Sequence, residues 1–280
     1  MAAGAFACAL LTMVAVPAAR ASYTVGQVAP GNPPAASCAA GTPTDHLQPT
    51  SAIAAGYFAK SAGFITSWTT NAAFGVGQVY TMKIFRRVSG DTFRVVGLDG
   101  PKTLAGGLLN TFQSHVAVQP GDILGFNESG SSNACTYAVF GDSILRRGGN
   151  LGDGSSGAFN QVSNLRLNIS AVLEPSNSFS VGGVAKDRGS GTATVIVNVP
   201  NPGHVQISGK GVTAASAGKS AVKETTVAGP VDVRIRATGQ KRAELMKTGH
   251  VKVKPKITYT PFSGDPAVGG IKVKLRARKG

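Results

Sequence analysis

The sequence predicts an all-β chain made of two β-sandwiches, an N-terminal one of jelly-roll type and a C-terminal one of immunoglobulin type. Short runs in which apolar and polar residues alternate recur along the chain, and this is the period of a strand with one buried face. The 280 residues include 37 Gly and 15 Pro, and only 15% are charged, which is typical of a turn-rich β protein. The charge also changes abruptly near the middle of the chain, which indicates a domain boundary.

Residues 1–21 predict a secretory signal peptide. An apolar run from Phe6 to Val16 is followed by Ala19-Arg20-Ala21, a small-x-small cleavage pattern. The run is too short to span a membrane, and no later run is long and apolar enough to do so. We therefore expect a protein that is secreted or held non-covalently at the cell surface, with Cys8 removed together with the signal.

Residues 22–50 are predicted to form an extended lead-in. They contain too many prolines for a central strand or a helix, namely Pro30, Pro33, Pro34, Pro43 and Pro49. Once the signal is removed, Cys38 and Cys135 are the remaining cysteines. In an exported chain they most simply form one disulfide, which would tie the lead-in to the far end of the first sandwich; two buried thiols are the alternative.

Residues 51–175 are predicted to form the jelly-roll-like sandwich, and its clearest unit is a hairpin from Gln78 to Leu98. One face of its first strand carries Tyr80, Met82 and Ile84, and the opposite face carries Thr81, Lys83 and Arg87. Turn residues from Ser89 to Thr92 separate this strand from the next. One hairpin cannot bury its apolar face alone, so the pattern requires a second layer of sheet.

Three further features belong to this first sandwich. Trp68, the single tryptophan, is interpreted as a core residue rather than a sugar-stacking platform. Pro120-Gly121 fits the central positions of a type II turn that leads into the strand Ile123 to Phe126. The Gly-rich run at 147–157 is predicted to be a flexible loop, and Glu174 to Asn177 is predicted to be the linker between the sandwiches.

Residues 176–280 are predicted to form the basic, immunoglobulin-like sandwich. This part carries eighteen Lys and Arg against five acids, whereas residues 22–175 carry nine against eight. Its strands alternate regularly, and only Lys241 to Lys247 is predicted to form a helical turn. The outward positions of its last two strands are basic, namely Lys252, Lys254, Lys256, Lys272, Lys274 and Arg276. Pro255 lies at a core-side position, which indicates an edge or a bulge.

Segments in both halves resemble known secreted proteins. The first half, with GFITSW, KIFRR, GDTFRVVG, VQPGDILGF and LRLNISAVLEP, resembles the N-terminal β-sandwich of secreted actinobacterial two-domain proteins of unknown function. The second half, with SFSVGGV, GTATVIVNVPNPGHVQISGKGV, VDVRIRATG, LMKTGHVKVKPKITYTP and KVKLR, resembles the basic immunoglobulin-like module that follows it in such proteins. The resemblance covers nearly all of the mature chain. It implies compartment and fold, and no catalytic or binding residues.

No motif predicts a catalytic residue, a metal site or a cofactor. The histidines lack paired ligand spacing, and no serine lies in a G-x-S-x-G elbow. The run from Gly211 to Ser220 fails the phosphate-loop pattern because Thr213 stands where a glycine is required. Asp153 lacks the spaced acids of a calcium loop. A pair of glycosidase carboxylates in the first sandwich stays open, although nothing in the sequence marks one.

The six basic residues are the feature with the clearest physical consequence. Lysines at alternate positions of a strand stand about 6.6–7 Å apart, and two such strands side by side would present a positive face. Two interpretations are weighed equally: protection of a sheet edge from aggregation, and binding of a polyanion.

We predict a non-enzymatic cell-envelope protein whose C-terminal sandwich binds anionic cell-wall glycopolymers and whose N-terminal sandwich binds a carbohydrate or a protein. An extracellular glycan-active enzyme and a purely structural surface protein are the alternatives. No specific nucleic-acid binding is expected, because no aromatic stacking motif accompanies the charge.

Overall fold

The computed structural model describes residues 22–31, 34, 36–38, 42–130, 134–215, 222–262 and 264–278. The predicted signal peptide, residues 1–21, lies outside the described residues. Across these described ranges, no helix combines the length and the apolar character needed to cross a membrane.

The first sandwich is built from antiparallel strands in the N-terminal part of the chain. Their bounds are β1 (Tyr23–Gln27), β2 (Ala36–Ser37), β3 (Thr44–Thr50), β4 (Gly63–Asn71), β5 (Gln78–Ser89), β6 (Thr92–Thr103), β7 (Leu109–Val118), β8 (Ile123–Gly130), β9 (Thr136–Gly148), β10 (Ser156–Ala158), β11 (Asn160–Leu167) and β12 (Ile169–Pro175).

These strands form two sheets with the topology of a jelly roll. One sheet has the order β1-β12-β4-β7, and the other contains the run β6-β5-β8-β3. Along the chain the strands pass between the two sheets in the pattern of paired Greek keys. Strands β9 and β11 extend the second sheet beyond β3, and β10 pairs with β6 at its other end. The predicted jelly-roll class is confirmed.

The prediction that residues 22–50 contain no central strand is wrong. Strand β3 lies inside the second sheet, paired with β8 on one side and β9 on the other. Pro49 is tolerated because the register of β3 against β9 shifts between Leu47 and Thr50, so the proline lies where the ladder is interrupted. Strand β1 likewise pairs with β12 in the first sheet.

The main core lies between the two sheets, and Trp68 is fully buried in it. Its ring packs on Phe112 with the ring centroids 4.6 Å apart, and its Nε1 donates a hydrogen bond to Asp99 Oδ2 at 2.7 Å. A ring in this position has no face open to a sugar. The interpretation of Trp68 as a core residue is confirmed.

The predicted hairpin is confirmed as the pair β5–β6, but the outward assignment of Lys83 is wrong. Lys83 and Phe85 are both fully buried on the face of β5 turned away from the main core. A second, smaller apolar cluster covers this face, and it includes Phe93, Leu151 and Phe159. Leu151 belongs to the run at 147–157, so the predicted flexible loop packs on the sheet and buries a strand face that the sequence pattern marks as polar.

Two further predictions in the first sandwich are confirmed. Cys38 and Cys135 form a disulfide, with Cα atoms 5.2 Å apart and a sequence separation of 97. At Pro120-Gly121 the chain turns as predicted, because Gly121 has a φ of +88° and the Asp122 N–H donates to the Gln119 carbonyl at 3.1 Å.

The second sandwich follows after Pro175. Its strands are β13 (Ser180–Asp187), β14 (Thr192–Val199), β15 (Gly203–Ser208), β16 (Val212–Ala214), β17 (Val222–Thr225), β18 (Gly229–Ala237), β19 (His250–Val253), β20 (Lys256–Pro261), β21 (Ala267–Gly270) and β22 (Val273–Arg276), with the helix α1 (Gly239–Thr248) between β18 and β19.

These strands form the two layers of an immunoglobulin-like sandwich. One sheet has the order β13-β14-β18-β16 and the other has the order β17-β15-β20-β21. Strands β19 and β22 form a separate pair, which continues the pair β20-β21 along the chain. One apolar core lies between the layers. The helix is longer than the predicted turn, and it ends at Gly249, whose φ of +76° is the left-handed conformation that glycine adopts at helix C-termini.

Candidate polyanion-binding face

The last four strands of the chain form one long hairpin that is interrupted in the middle. We call it the basic hairpin (residues 250–276). Strand β19 pairs with β22, and β20 pairs with β21. Between these pairs the strand is interrupted at Lys254-Pro255, as the proline predicts. There the Ile271 N–H donates to the Pro255 carbonyl at 3.3 Å. The interruption moves the strands from one sheet to another but keeps them side by side.

The basic hairpin brings together all six residues predicted from the sequence. Lys252 lies directly opposite Lys274, and His250 lies directly opposite Arg276. Lys256 faces Gly270, and Lys254 and Lys272 lie at the interruption. Five of the six side chains are exposed and Lys274 is half-buried.

Alternation fixes the direction of these side chains. Val251, Val253, Val273 and Leu275 are buried in the core of the second sandwich, so the residues between them must point outward. Residues directly opposite each other in antiparallel strands have Cβ atoms about 4.5–5.5 Å apart. The basic hairpin therefore carries two columns of positive charge at close spacing.

None of the six basic residues has a carboxylate within 4.0 Å among the described residues. Like charges placed directly opposite each other in a sheet destabilise it. The pair Lys252 and Lys274 therefore costs folding free energy that a bound anion would offset.

A groove extends the positive face from the basic hairpin to the start of α1. It has a volume of about 570 Å³, and its basic lining residues are Lys210, Lys241, Lys252 and Lys254. The N-cap Thr238 makes no side-chain capping hydrogen bond, and the first turn contains no acidic residue. The positive end of the helix dipole thus adds to the four lysines. Lys241 is paired with Glu244 at 2.7 Å, so its charge is partly compensated.

A second basic groove lies on the other side of α1. It has a volume of about 380 Å³ and contains Arg234, Arg236, Arg242 and Arg278. Arg234 is bound to Asp187 Oδ2 at 3.0 Å. The positive charge of this sandwich is therefore concentrated around α1 and the basic hairpin.

The sequence pattern does not reveal the cations that lie outside the basic hairpin. Lys210 lies in the turn between β15 and β16, and Arg242 lies on the helix. Alternation along a strand cannot place such residues, because only the packing of α1 against the sandwich brings them beside the basic hairpin. The excess of positive charge in this half of the chain is the one signal that anticipates them.

A cleft of a different character lies where the two sandwiches meet. It has a volume of about 340 Å³ and is lined by Phe64, His115, Glu174 and Asp265. The rings of Phe64 and His115 stack with centroids 4.3 Å apart and planes 11° from parallel. Aromatic faces and carboxylates are the groups that contact the C–H faces and hydroxyls of sugars.

One further cluster has the donor types of a metal site. Ligand atoms of Cys38, Glu128 and Cys135 lie within 4.8 Å of one another. Both sulfurs are bonded in the disulfide, so neither is the thiolate that binds metals. The residues of this cluster therefore do not fit a resident metal ion.

No protein-family model matches the chain, and no curated protein matches it either.

Proposed function

We propose that this is a secreted, non-enzymatic protein of an actinobacterial cell envelope whose second sandwich binds anionic wall glycopolymers through the basic hairpin. The observation that carries the proposal is the register of that hairpin. It sets Lys252 against Lys274 with no carboxylate partner for either among the described residues. Repeated anionic groups of a linear polymer match a column of cations better than a single small anion does.

Edge protection accounts for only part of this pattern. Strand β21 is the last strand of its sheet, so lysines near it could discourage pairing with another molecule. Strand β20, which carries Lys256, lies between β15 and β21, and its backbone is already paired on both sides. Protection of an edge does not require a lysine there, whereas a continuous positive face does.

The test is sedimentation of the purified full chain with actinobacterial cell walls over a series of salt concentrations. We expect binding at low salt that weakens steeply as salt rises, because exposed charges are screened. The triple variant Lys252→Gln, Lys254→Gln, Lys274→Gln should bind at least about tenfold more weakly, a loss of about 1.4 kcal/mol.

A matched control removes the same charge elsewhere in the second sandwich. Lys186, Arg188 and Lys223 are exposed and lie on or beside β13 and β17; none of them belongs to the basic hairpin or lines the groove beside it. The triple glutamine variant at these positions should keep most of the wall binding. Equal losses of wall binding in the two variants would show that net charge alone causes the binding. If the wild type does not bind walls even at low salt, the lysines serve only edge protection and solubility.

The cleft between the sandwiches supports a second candidate, a carbohydrate-binding or glycan-active site. Phe64 and His115 offer a stacked aromatic surface, and two acids, Glu174 and Asp265, line the same cleft. Glycoside hydrolysis uses a pair of carboxyl groups. Binding of wall oligosaccharides that Phe64→Ala abolishes would support a site here. Release of reducing ends, lost in Glu174→Gln, would favour the enzyme over the binding module.

A further inference from the structure

Lys83 has an environment unlike that of the other lysines described. Its side chain is 1% exposed, and Nζ donates three hydrogen bonds. The acceptors are Asp45 Oδ1 at 2.6 Å, Asn150 Oδ1 at 2.7 Å and the Leu151 carbonyl at 2.6 Å. An amine, a carboxylate and a carboxamide thus meet at one point, where Lys83 and Asp45 are buried and Asn150 is exposed.

Asp45 is held in place from two further directions. Its Oδ1 also accepts a hydrogen bond from Asn127 Nδ2 at 2.9 Å, and its Oδ2 accepts one from the Leu151 N–H at 2.8 Å. Asn127 Nδ2 also donates to the Gly149 carbonyl at 3.0 Å. The loop that carries Asn150 is therefore fixed against the sheet on both sides of that residue.

The surroundings make the amine less basic. Burial lowers the pKa of Lys83, although the hydrogen bond to Asp45 and its negative charge oppose this. Phe85, Phe93 and Phe159 belong to the apolar cluster on the same face of the sheet. A less basic, desolvated lysine is a better nucleophile than one in water.

We infer that Lys83 and Asn150 are joined by an intramolecular isopeptide bond that forms spontaneously, with Asp45 transferring the proton. Asp45 takes a proton from the Lys83 ammonium, and the neutral Nζ attacks Cγ of Asn150. The Asp45 carboxyl then protonates the amino group of the tetrahedral intermediate. The Cγ–N bond of Asn150 breaks and ammonia leaves. Nζ gives its second proton to the Asp45 carboxylate, which passes it to the departing ammonia, so that ammonium is released and a neutral amide links the two side chains. No oxidant, reductant or cofactor takes part.

The positions of the atoms fit this step. Because a C=O bond is about 1.23 Å long, Cγ of Asn150 is no more than about 3.9 Å from Nζ when Oδ1 is 2.7 Å away. Reacting atoms in productive complexes stand about 3–3.5 Å apart, so a small movement completes the approach. Asp45 Oδ1 already contacts Nζ and needs no movement to accept its proton.

The bond would connect β5 to the loop after β9, residues 67 positions apart. In a protein outside the cell it would act beside the Cys38–Cys135 disulfide and, unlike the disulfide, would resist reduction. The inference is independent of wall binding, since Lys83 lies in the first sandwich.

The test is the intact mass of the purified, reduced and denatured full chain. We expect the wild type to be lighter by one ammonia than its sequence requires. The variants Lys83→Arg, Asp45→Ala and Asn150→Ala should show no deficit after correction for the substitution. Lys102→Arg is the matched control, because Lys102 also pairs with an aspartate, Asp99 at 3.0 Å, but at a partly exposed position. It should keep the deficit.

Tryptic peptides identify the linked residues. Cross-linking blocks cleavage after Lys83, so a branched peptide joining residues 61–86 to residues 148–166 is expected. Asn150 is exposed, so Asn150→Ala should fold and keeps the test valid even if Lys83→Arg does not. A wild-type mass without deficit, with cleavage after Lys83, would overturn the inference. Loss of water would assign the bond to Asp45 instead, and loss of ammonia without a branched peptide would indicate a cyclised asparagine; either result contradicts the Lys83–Asn150 bond.

Discussion

The side chain of Asn201 pairs with both backbone groups of Ala62, across the boundary between the two sandwiches. Its Oδ1 accepts a hydrogen bond from the Ala62 N–H at 2.6 Å, and its Nδ2 donates to the Ala62 carbonyl at 3.0 Å. Nδ2 also donates to the Ser176 carbonyl at 2.8 Å. Tyr259 completes the junction by donating to the Asn201 carbonyl at 2.8 Å, and burial raises the pKa of Tyr259 to about 12, so the hydroxyl stays a donor at neutral pH. The linker predicted near Ser176 is therefore held by hydrogen bonds.

Replacing Asn201 with alanine should loosen this junction. The change leaves the buried Ala62 N–H without its acceptor, and we expect a loss of about 1–3 kcal/mol in the free energy of unfolding. Urea unfolding measures it. Asn177→Ala is the control, because Asn177 contributes one half-buried hydrogen bond, to the Asp265 carbonyl at 3.2 Å. Equal effects of the two changes would contradict a special role for Asn201.

The stability of the first sandwich should fall in acid because of Asp142. Burial raises the pKa of this carboxyl, but hydrogen bonds from Arg166, the Ala52 N–H and Gln48, together with the Arg166 charge, outweigh burial and leave the pKa below its usual value. A carboxyl with a lowered folded-state pKa stabilises the protein above its unfolded pKa of about 4 and loses that contribution as the pH falls through the folded pKa.

Melting temperatures between pH 6 and pH 2 test this effect. Asp142→Asn should melt at a lower temperature at neutral pH, because it leaves the buried Arg166 without its carboxylate at 2.5 Å, a change that typically costs about 3–5 kcal/mol. Its melting temperature should then depend less on acid than that of the wild type. Asp91→Asn, which breaks the exposed Arg87 pair, should cost no more than about 1 kcal/mol. Parallel acid profiles for wild type and Asp142→Asn would contradict this assignment.

The disulfide should stabilise the chain substantially because it closes a long loop. Cys38 and Cys135 are 97 residues apart, and the chain-entropy model gives up to about 4–5 kcal/mol for a loop of this length, less any strain. The variant Cys38→Ser, Cys135→Ser should therefore unfold at a clearly lower urea concentration than the oxidised wild type. Reductant should lower the wild-type midpoint and leave the variant unchanged. A midpoint insensitive to reductant would show that the disulfide contributes little to stability.

Local sequence patterns predict the strands well, but they predict poorly which residues pack on the outer face of a strand. In β19 and β22 the apolar residues alternate with Lys252 and Lys274. This alternation places the two lysines outward, because a sandwich strand has one buried face. The same pattern puts Lys83 outside and is wrong, because the cover comes from Leu151, 68 residues further on. Pro49 likewise argues against a central strand, and only the register shift beside it shows how the sheet accommodates a proline. Long-range contacts of this kind leave no periodic signal in the sequence.

The pair Lys252 and Lys274 should show that binding and stability oppose each other in the basic hairpin. Lys274→Glu replaces a like-charge pair by an opposite-charge pair at a directly facing position, and we expect it to raise the free energy of unfolding by about 0.2–1 kcal/mol at low salt. The gain should shrink as salt screens the pair, and wall binding should weaken at the same time. Lys186→Glu, with the same charge change on β13, serves as the control and should leave wall binding nearly intact. If Lys274→Glu fails to stabilise the protein at low salt, the two lysines do not repel each other, and the argument that an anion relieves them loses its basis.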